Sequence, residues 1–324
     1  MKAILCTHFG TPDELEAADI PAPVAAAGEA VVAVKAAALN FFDTLIIAGK
    51  YQHKPPFPFS PAAEFAGVVE SVGTGVTTVK PGDRVMGYPG FGAAREKLAI
   101  TADGLIKLPD GLDYERASGL TVTYGTSYHA LKDRADLKPD ETLAVLGASG
   151  GVGLAAVELG KLMGARVIAC ASSDEKLAFA KQHGADDVIN YSQGNLRDAL
   201  RTATGGKGAD VVYDPVGGPY SEPAVRGLNW GGRLLVVGFA AGEIPKIPLN
   251  LTLLKNCDIR GVFWGEWTRR NPEAHRANMR ELMDWAASGN ISAHIHAVYP
   301  LAETTQAMKA ITSREVMGKI VLKP

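Results

Sequence analysis

The sequence is short of cysteine. Its three, Cys6, Cys170 and Cys257, lie far apart and none belongs to a C-x-x-C pair. That excludes a disulfide framework and a cysteine-built zinc site, and it suits a reducing compartment, so the cytoplasm is the expected location. Long apolar runs are missing too. The nearest approach to the roughly 18 residues of a membrane span is Thr142–Val157, and four glycines interrupt it. At the N-terminus the apolar run Ala3–Cys6 stops at Thr7-His8. This is shorter than the roughly 7–15 residues of a signal-peptide core, and it reads as a first strand. There is no excess of basic charge: 33 Lys and Arg against 35 Asp and Glu leave a formal charge of −2. Nucleic acid, which calls for a basic stripe, is therefore not an expected partner, and neither is a membrane. Repeats and low-complexity segments are also absent.

With 47% hydrophobic and 21% charged residues, the chain has enough apolar surface to fold, and 324 residues suggest two domains. Up to about residue 110, short strands and turns follow each other closely. Strands are expected at Ala30–Ala36, Phe65–Gly73 and Arg84–Tyr88, with a turn at Pro81-Gly82-Asp83. This spacing suggests a barrel or sandwich. Tyr114–Leu131 then has helical spacing. Beyond it, strands and helices alternate: strands at Leu143–Leu146, Arg166–Ala171, Asp187–Asn190, Asp210–Asp214 and Gly232–Val237, helices at Gly151–Met163, Glu175–His183, Leu196–Thr202 and Ser221–Leu228. Apolar strands joined by helical crossovers give a doubly wound parallel sheet. The alternation is expected to stop near residue 260. A long helix at Pro272–Ser288, a strand at Ile295–Val298, a helix at Ala302–Ser313 and a strand at Lys319–Leu322 follow. The division expected is 1–122, 123–262 and a C-terminal segment 263–324 that rejoins the first domain.

The 36 glycines include a group with chemical meaning. Leu143–Gly153 runs strand, glycine loop, helix, with Gly150, Gly151 and Gly153 in the loop. Backbone without side chains can approach a pyrophosphate, and the helix that follows presents its positive end. Ala148 stands where the G-x-G-x-x-G fingerprint has its first glycine. Ser149, Gly150, Gly151 and Val152 are the expected phosphate contacts. The second strand ends in Ala171-Ser172-Ser173, without the carboxylate that would hold a ribose hydroxyl, and Lys176 follows within a turn. A hydroxyl and a lysine suit a 2′-phosphate, so NADPH is the expected cofactor. Asp174 and Glu175 leave NAD as the alternative, although both can face solvent at a helix N-terminus.

Six segments together resemble the zinc-independent quinone oxidoreductases of the medium-chain dehydrogenase/reductase superfamily. They are Asn40–Asp43, Gly49-Lys50-Tyr51, Pro61–Gly67, Lys80–Val85, Ala148–Gly153 and Ser313–Lys319. The resemblance implies an α/β protein with a GroES-like β-barrel catalytic domain and a Rossmann doubly wound parallel sheet, and usually a homodimer. It implies that Asn40 lies near the nicotinamide and substrate, and that Tyr51 is a proton donor or oxygen binder. It places Thr126 on the nicotinamide side, and Tyr191 with Lys176 at the adenosine phosphate, a site Arg314 completes. Val237, Gly238 and Phe239 are expected at the cofactor, with Phe263 and Trp264 as walls of the ring pocket, core packing being the alternative for these two aromatics. Asp43 and Glu64 are read as structural turn residues.

Zinc-bearing relatives have a cysteine near the first of these segments and a histidine before the glutamate that matches Glu64. Here the first segment has no cysteine, Ala63 precedes Glu64, and Tyr88–Lys97 lacks the structural four-cysteine lobe. His294 and His296 make only a pair. No metal is expected. Hydride transfer from NADPH to an electrophilic small molecule remains, with a quinone as the default acceptor. An enone or enoyl thioester is the alternative, and so is a non-catalytic NADPH-binding protein. Leu45 stands where quinone reductases often have a second tyrosine, which makes the pocket more apolar.

Overall fold

A computed structural model describes all 324 residues. The chain divides into two compact units. One comprises residues 1–122, 280–288 and 293–324, the other residues 123–279 and 289–292. The return to the first unit therefore begins at Arg280 and not at residue 263. The helix Trp264–Arg270 and the first half of the helix Pro272–Ala287 pack with the second unit.

In the first unit, a seven-stranded sheet is organised around the long strand Glu29–Leu39. Its apolar alternation buries Val32, Val34, Ala37 and Leu39 in a core with Phe59, Phe65, Val85, Met308 and Ile320. Glu64–Val72 and Lys319–Lys323 both pair antiparallel with this strand, putting Glu64 opposite Ala38 and Ile320 opposite Leu39. Lys97–Thr101 joins its N-terminal half. The C-terminal end of Glu29–Leu39 is therefore flanked by the first residues of two strands far apart in sequence. A helix, Phe41–Ile47, starts immediately after it.

The second unit is a six-stranded sheet. Its spatial order is Asp187–Asn190, Arg166–Ala171, Thr142–Leu146, Ala209–Asp214, Leu228–Val236, Asp258–Gly261, and every pairing is parallel. In sequence order this is 3-2-1-4-5-6, the doubly wound arrangement. The sixth strand escapes sequence reading because its residues, Asp258-Ile259-Arg260-Gly261, are polar and exposed for a buried parallel strand. It is an edge strand, which one-sided burial permits. The helical stretch expected at Tyr114–Leu131 is three pieces: Tyr114–Ser118 in the first unit, then Leu120–Tyr128, then the π-helical turn His129–Arg134. Gly119 and the wider π-turn break its regular period.

Candidate active site

In the second unit, the buried strand Thr142–Leu146 ends in Gly147, whose φ of 60° starts the glycine loop. The helix Gly151–Leu162 begins with Gly150 as its cap. A methyl group on Gly153 would lie 2.1 Å from the Gly147 carbonyl oxygen, so this glycine is dictated by backbone packing. Gly150 differs: its nearest neighbour to an added methyl is the same oxygen at 3.5 Å, which leaves open space above the helix end. That cradle fits a pyrophosphate. Ser127, beside the half-buried Thr126, donates to the Val152 carbonyl at 2.8 Å and bonds the Tyr213 hydroxyl at 2.8 Å, tying the start of this helix to Leu120–Tyr128 and to the strand Ala209–Asp214.

Because the strands are parallel, their C-terminal ends share one edge of the sheet. Val237, Gly238 and Phe239 follow Leu228–Val236 there, and the Val237 amide donates to the Asp214 carbonyl at 3.0 Å. Ser172 lies exposed after Arg166–Ala171, and Lys176 is half-buried in the first turn of the helix capped by Ser173. Tyr191, after Asp187–Asn190, donates its amide to Ala171 and packs its ring 4.4 Å from Tyr220. Ser172, Lys176 and Tyr191 thus share one corner. Asp174 is exposed and accepts a 2.8 Å hydrogen bond from Asn190. Phe263 is 62% exposed, whereas Trp264 is buried, lies against Gly125 and meets the His275 ring edge-on at 5.5 Å. Arg314 is exposed in the first unit, in a left-handed conformation with φ of 62°.

The first unit gathers buried polar groups at the end of Glu29–Leu39. Lys319 and Glu64 form an ion pair of 2.8 Å with side chains 5% and 0% exposed. The Lys319 ammonium also donates to the Leu39 carbonyl at 2.8 Å and to Asn40 Oδ1 at 2.7 Å. Asn40 Nδ2 donates to Glu64 Oε1 at 2.9 Å, and the Val122 amide donates to Glu64 Oε2 at 2.7 Å. Asp43 accepts from the Asn40 amide at 2.7 Å through Oδ2, while its buried Oδ1 has no partner. Burial outweighs that hydrogen bond and the nearby Lys319 charge, and raises the Asp43 carboxyl from 3.8 to about 7.

Tyr51 is half-buried and stacks on Phe42 with ring centres 5.3 Å apart. Burial, and then the Asp43 charge, raise its hydroxyl pKa. Tyr88 is raised further, by burial and then by Tyr51, Asp43 and Glu64. Both phenols therefore stay protonated at neutral pH and can donate. Tyr88, Glu64 and Lys319 were not among the expected functional residues. A lysine opening the apolar strand Lys319-Ile320-Val321-Leu322 was the one available signal.

The Asp43 shift has a testable sign. The unfolded carboxyl ionises near the ordinary 3.8 and the folded one near 7. Its contribution to stability is therefore full at acid pH and is lost as the pH rises from about 4 through 7, by at most roughly 4 kcal/mol. Asp43→Asn keeps an acceptor for the Asn40 amide and removes the ionisation. In urea unfolding, the variant should gain on the native protein between about pH 5 and pH 8. A constant difference across that range would overturn the assignment.

No group of three or more His, Cys, Asp and Glu is arranged to hold a metal ion. Two family descriptions match the chain: "Alcohol dehydrogenase GroES-like domain" over residues 26–110 and "Zinc-binding dehydrogenase" over residues 151–288. Among curated proteins, quinone oxidoreductase-like protein 2 of Bos taurus is 38% identical, across 99% of this chain and 92% of that protein. Quinone oxidoreductase of Rattus norvegicus is 32% identical, across 99% of this chain and 97% of its own length. Among solved structures, Escherichia coli quinone oxidoreductase complexed with NADPH superimposes with a TM-score of 0.94 at 31% identity, covering 100% of both chains.

Proposed function

The chain belongs to the quinone oxidoreductase-like proteins of the medium-chain dehydrogenase/reductase superfamily, and on that premise we propose that it reduces quinones with NADPH and without a metal. The observation that carries this reading is the group of donors in the first unit. A carboxamide and two protonated phenols, Asn40, Tyr51 and Tyr88, lie at one end of its sheet, with no metal-ligand set among them. Bound NADPH supplies the hydride. An acceptor oxygen that gains charge then takes a hydrogen bond from Asn40 and a proton from Tyr51. Ser149, Gly150, Gly151 and Val152 hold the pyrophosphate through backbone amides. Ser172, Lys176 and Tyr191 receive the adenosine 2′-phosphate, and the resemblance adds Arg314. Thr126, Val237, Gly238, Phe239 and Phe263 are assigned to the rest of the cofactor. The metal-free reading is supported by Ala63 before Glu64 and by the lack of cysteine in Asn40–Asp43.

The test is loss of NADPH absorbance with benzoquinone, phenanthrenequinone and crotonyl-CoA, repeated with NADH. Quinone turnover with NADPH preferred supports the proposal. Crotonyl-CoA turnover alone replaces the quinone by an enoyl thioester and keeps Tyr51 as the proton donor. Tight NADPH binding with no turnover by any acceptor would mean a binding protein. For the cofactor, Lys176→Ala should raise the KM for NADPH by about 10- to 100-fold, the worth of a charge-assisted contact, and leave NADH unaffected. An unchanged preference would remove Lys176 from the phosphate site.

We also infer a homodimer through the second unit. Its edge strand Asp258–Gly261 is unpaired on one side, and Leu249, Leu253 and Leu254 nearby in sequence are 78%, 79% and 65% exposed. Apolar surface beside an open strand edge is a pairing surface. Leu253→Asp with Leu254→Asp should convert a dimer to a monomer in sedimentation. A native protein that sediments as a monomer contradicts this.

A further inference from the structure

We propose that the buried Lys319–Glu64 pair is a positioning device that locks the Asn40 carboxamide in one orientation, with its oxygen on Lys319 and its Nδ2 on Glu64. The atoms themselves specify that orientation. An ammonium has three protons and no acceptor. Lys319 directs its protons at the Leu39 carbonyl, Asn40 Oδ1 and Glu64 Oε1. The atom 2.7 Å from it on Asn40 must therefore be the oxygen. The amide nitrogen then faces Glu64 Oε1 at 2.9 Å, where a carboxylate can only accept. Turning the amide over would set NH2 against NH3+ and oxygen against carboxylate. Glu64 is itself held, since its other oxygen accepts the Val122 amide at 2.7 Å.

With its protons spent, Lys319 has none to offer a substrate, so it acts through Asn40 and not directly. A buried ion pair is weak evidence of stabilisation, because desolvation offsets most of the attraction. What this pair supplies is direction. One Nδ2 proton goes to Glu64. Geometrically fixed donors are worth most where charge develops, since they need no reorganisation during reaction. That kinetic consequence rests on the oxidoreductase reading above, but the orientation does not.

The experiment uses a charge-neutral double variant, Lys319→Met with Glu64→Gln, so that no lone charge is buried. The carboxamide introduced by Glu64→Gln must turn its oxygen to the Val122 amide, which presents its NH2 to Asn40 and favours the opposite amide orientation. In the native full-length protein, the Asn40 side-chain NH2, assigned by its disappearance in Asn40→Asp, should show a slowly exchanging proton, the one held by Glu64, by nitrogen-edited NMR. In the double variant this slow exchange should be lost. An unchanged pair of resonances overturns the proposal whether or not the protein turns over a quinone. In kinetics, Asn40→Ala should lower kcat by roughly 100-fold with the KM for NADPH nearly constant. The double variant should lose about as much, and adding Asn40→Ala to it should cost nothing further. A further full loss of about 100-fold in the triple variant would show Asn40 working independently of the pair. Absence of turnover in the native protein would defeat the functional reading alone, because the NMR result still decides the orientation.

Discussion

Gly153→Ala is expected to remove dinucleotide binding and to destabilise the second unit by about 3 kcal/mol or more. The added methyl would meet Gly147 O at 2.1 Å, Gly147 C at 2.8 Å and Ala148 Cα at 3.0 Å. All three are backbone atoms, so no side chain can swing aside. Either the helix Gly151–Leu162 lifts from the loop or the loop leaves the end of Thr142–Leu146, and both movements misdirect the amides meant for the pyrophosphate. Gly150→Ala is the control. Its methyl has no neighbour closer than 3.5 Å, so the fold should survive while the methyl projects into the phosphate cradle. NADPH fluorescence titration and urea unfolding read the two effects. Near-native binding by Gly153→Ala would mean that the pyrophosphate is held elsewhere.

Lys319→Met alone should cost about 3–5 kcal/mol, a large part of the roughly 5–15 kcal/mol that stabilises a typical domain. The methionine fills much of the space, but Glu64, 0% exposed, is left as a buried carboxylate without its cation. Such a group avoids its charge by taking a proton, so its folded pKa should rise above the unfolded one. The variant is then least stable at alkaline pH and recovers as the pH falls through that raised pKa. Adding Glu64→Gln should restore most of the loss at neutral pH. Urea unfolding of the three proteins at several pH values is the measurement. A small, pH-independent effect for Lys319→Met would show that water or a rearranged neighbour compensates Glu64.

How far these features can be read in the chain differs between the units. In the second, the signals are local. The run Leu143–Gly153 holds a buried strand, a sterically required glycine and a helix start within eleven consecutive residues. The strands Arg166–Ala171 and Asp187–Asn190 have the bounds expected of them. Asp258–Gly261 was missed because an edge strand carries no continuous apolar run, and the helix Phe41–Ile47 because it is too short to show a period. Trp264 shows the limit for side chains. Composition and position allow either a pocket wall or a core ring, and neither shows that the ring packs against Gly125 and His275.

By itself, then, the sequence determined the alternation of strands and helices, the glycine loop and the basic, carboxylate-free end of the second strand, since each depends on neighbouring residues and backbone sterics. The tertiary structure alone decided what Asn40, Glu64 and Lys319 are to one another. Lys319 stands 279 residues from Asn40 and 255 from Glu64. They meet because Glu29–Leu39 pairs with Glu64–Val72 on one side and Lys319–Lys323 on the other, in a register that aligns the strand ends. Polarity along a chain shows that a lysine is charged. Whether it faces water or a buried carboxylate depends on strand register, which is set by the whole core.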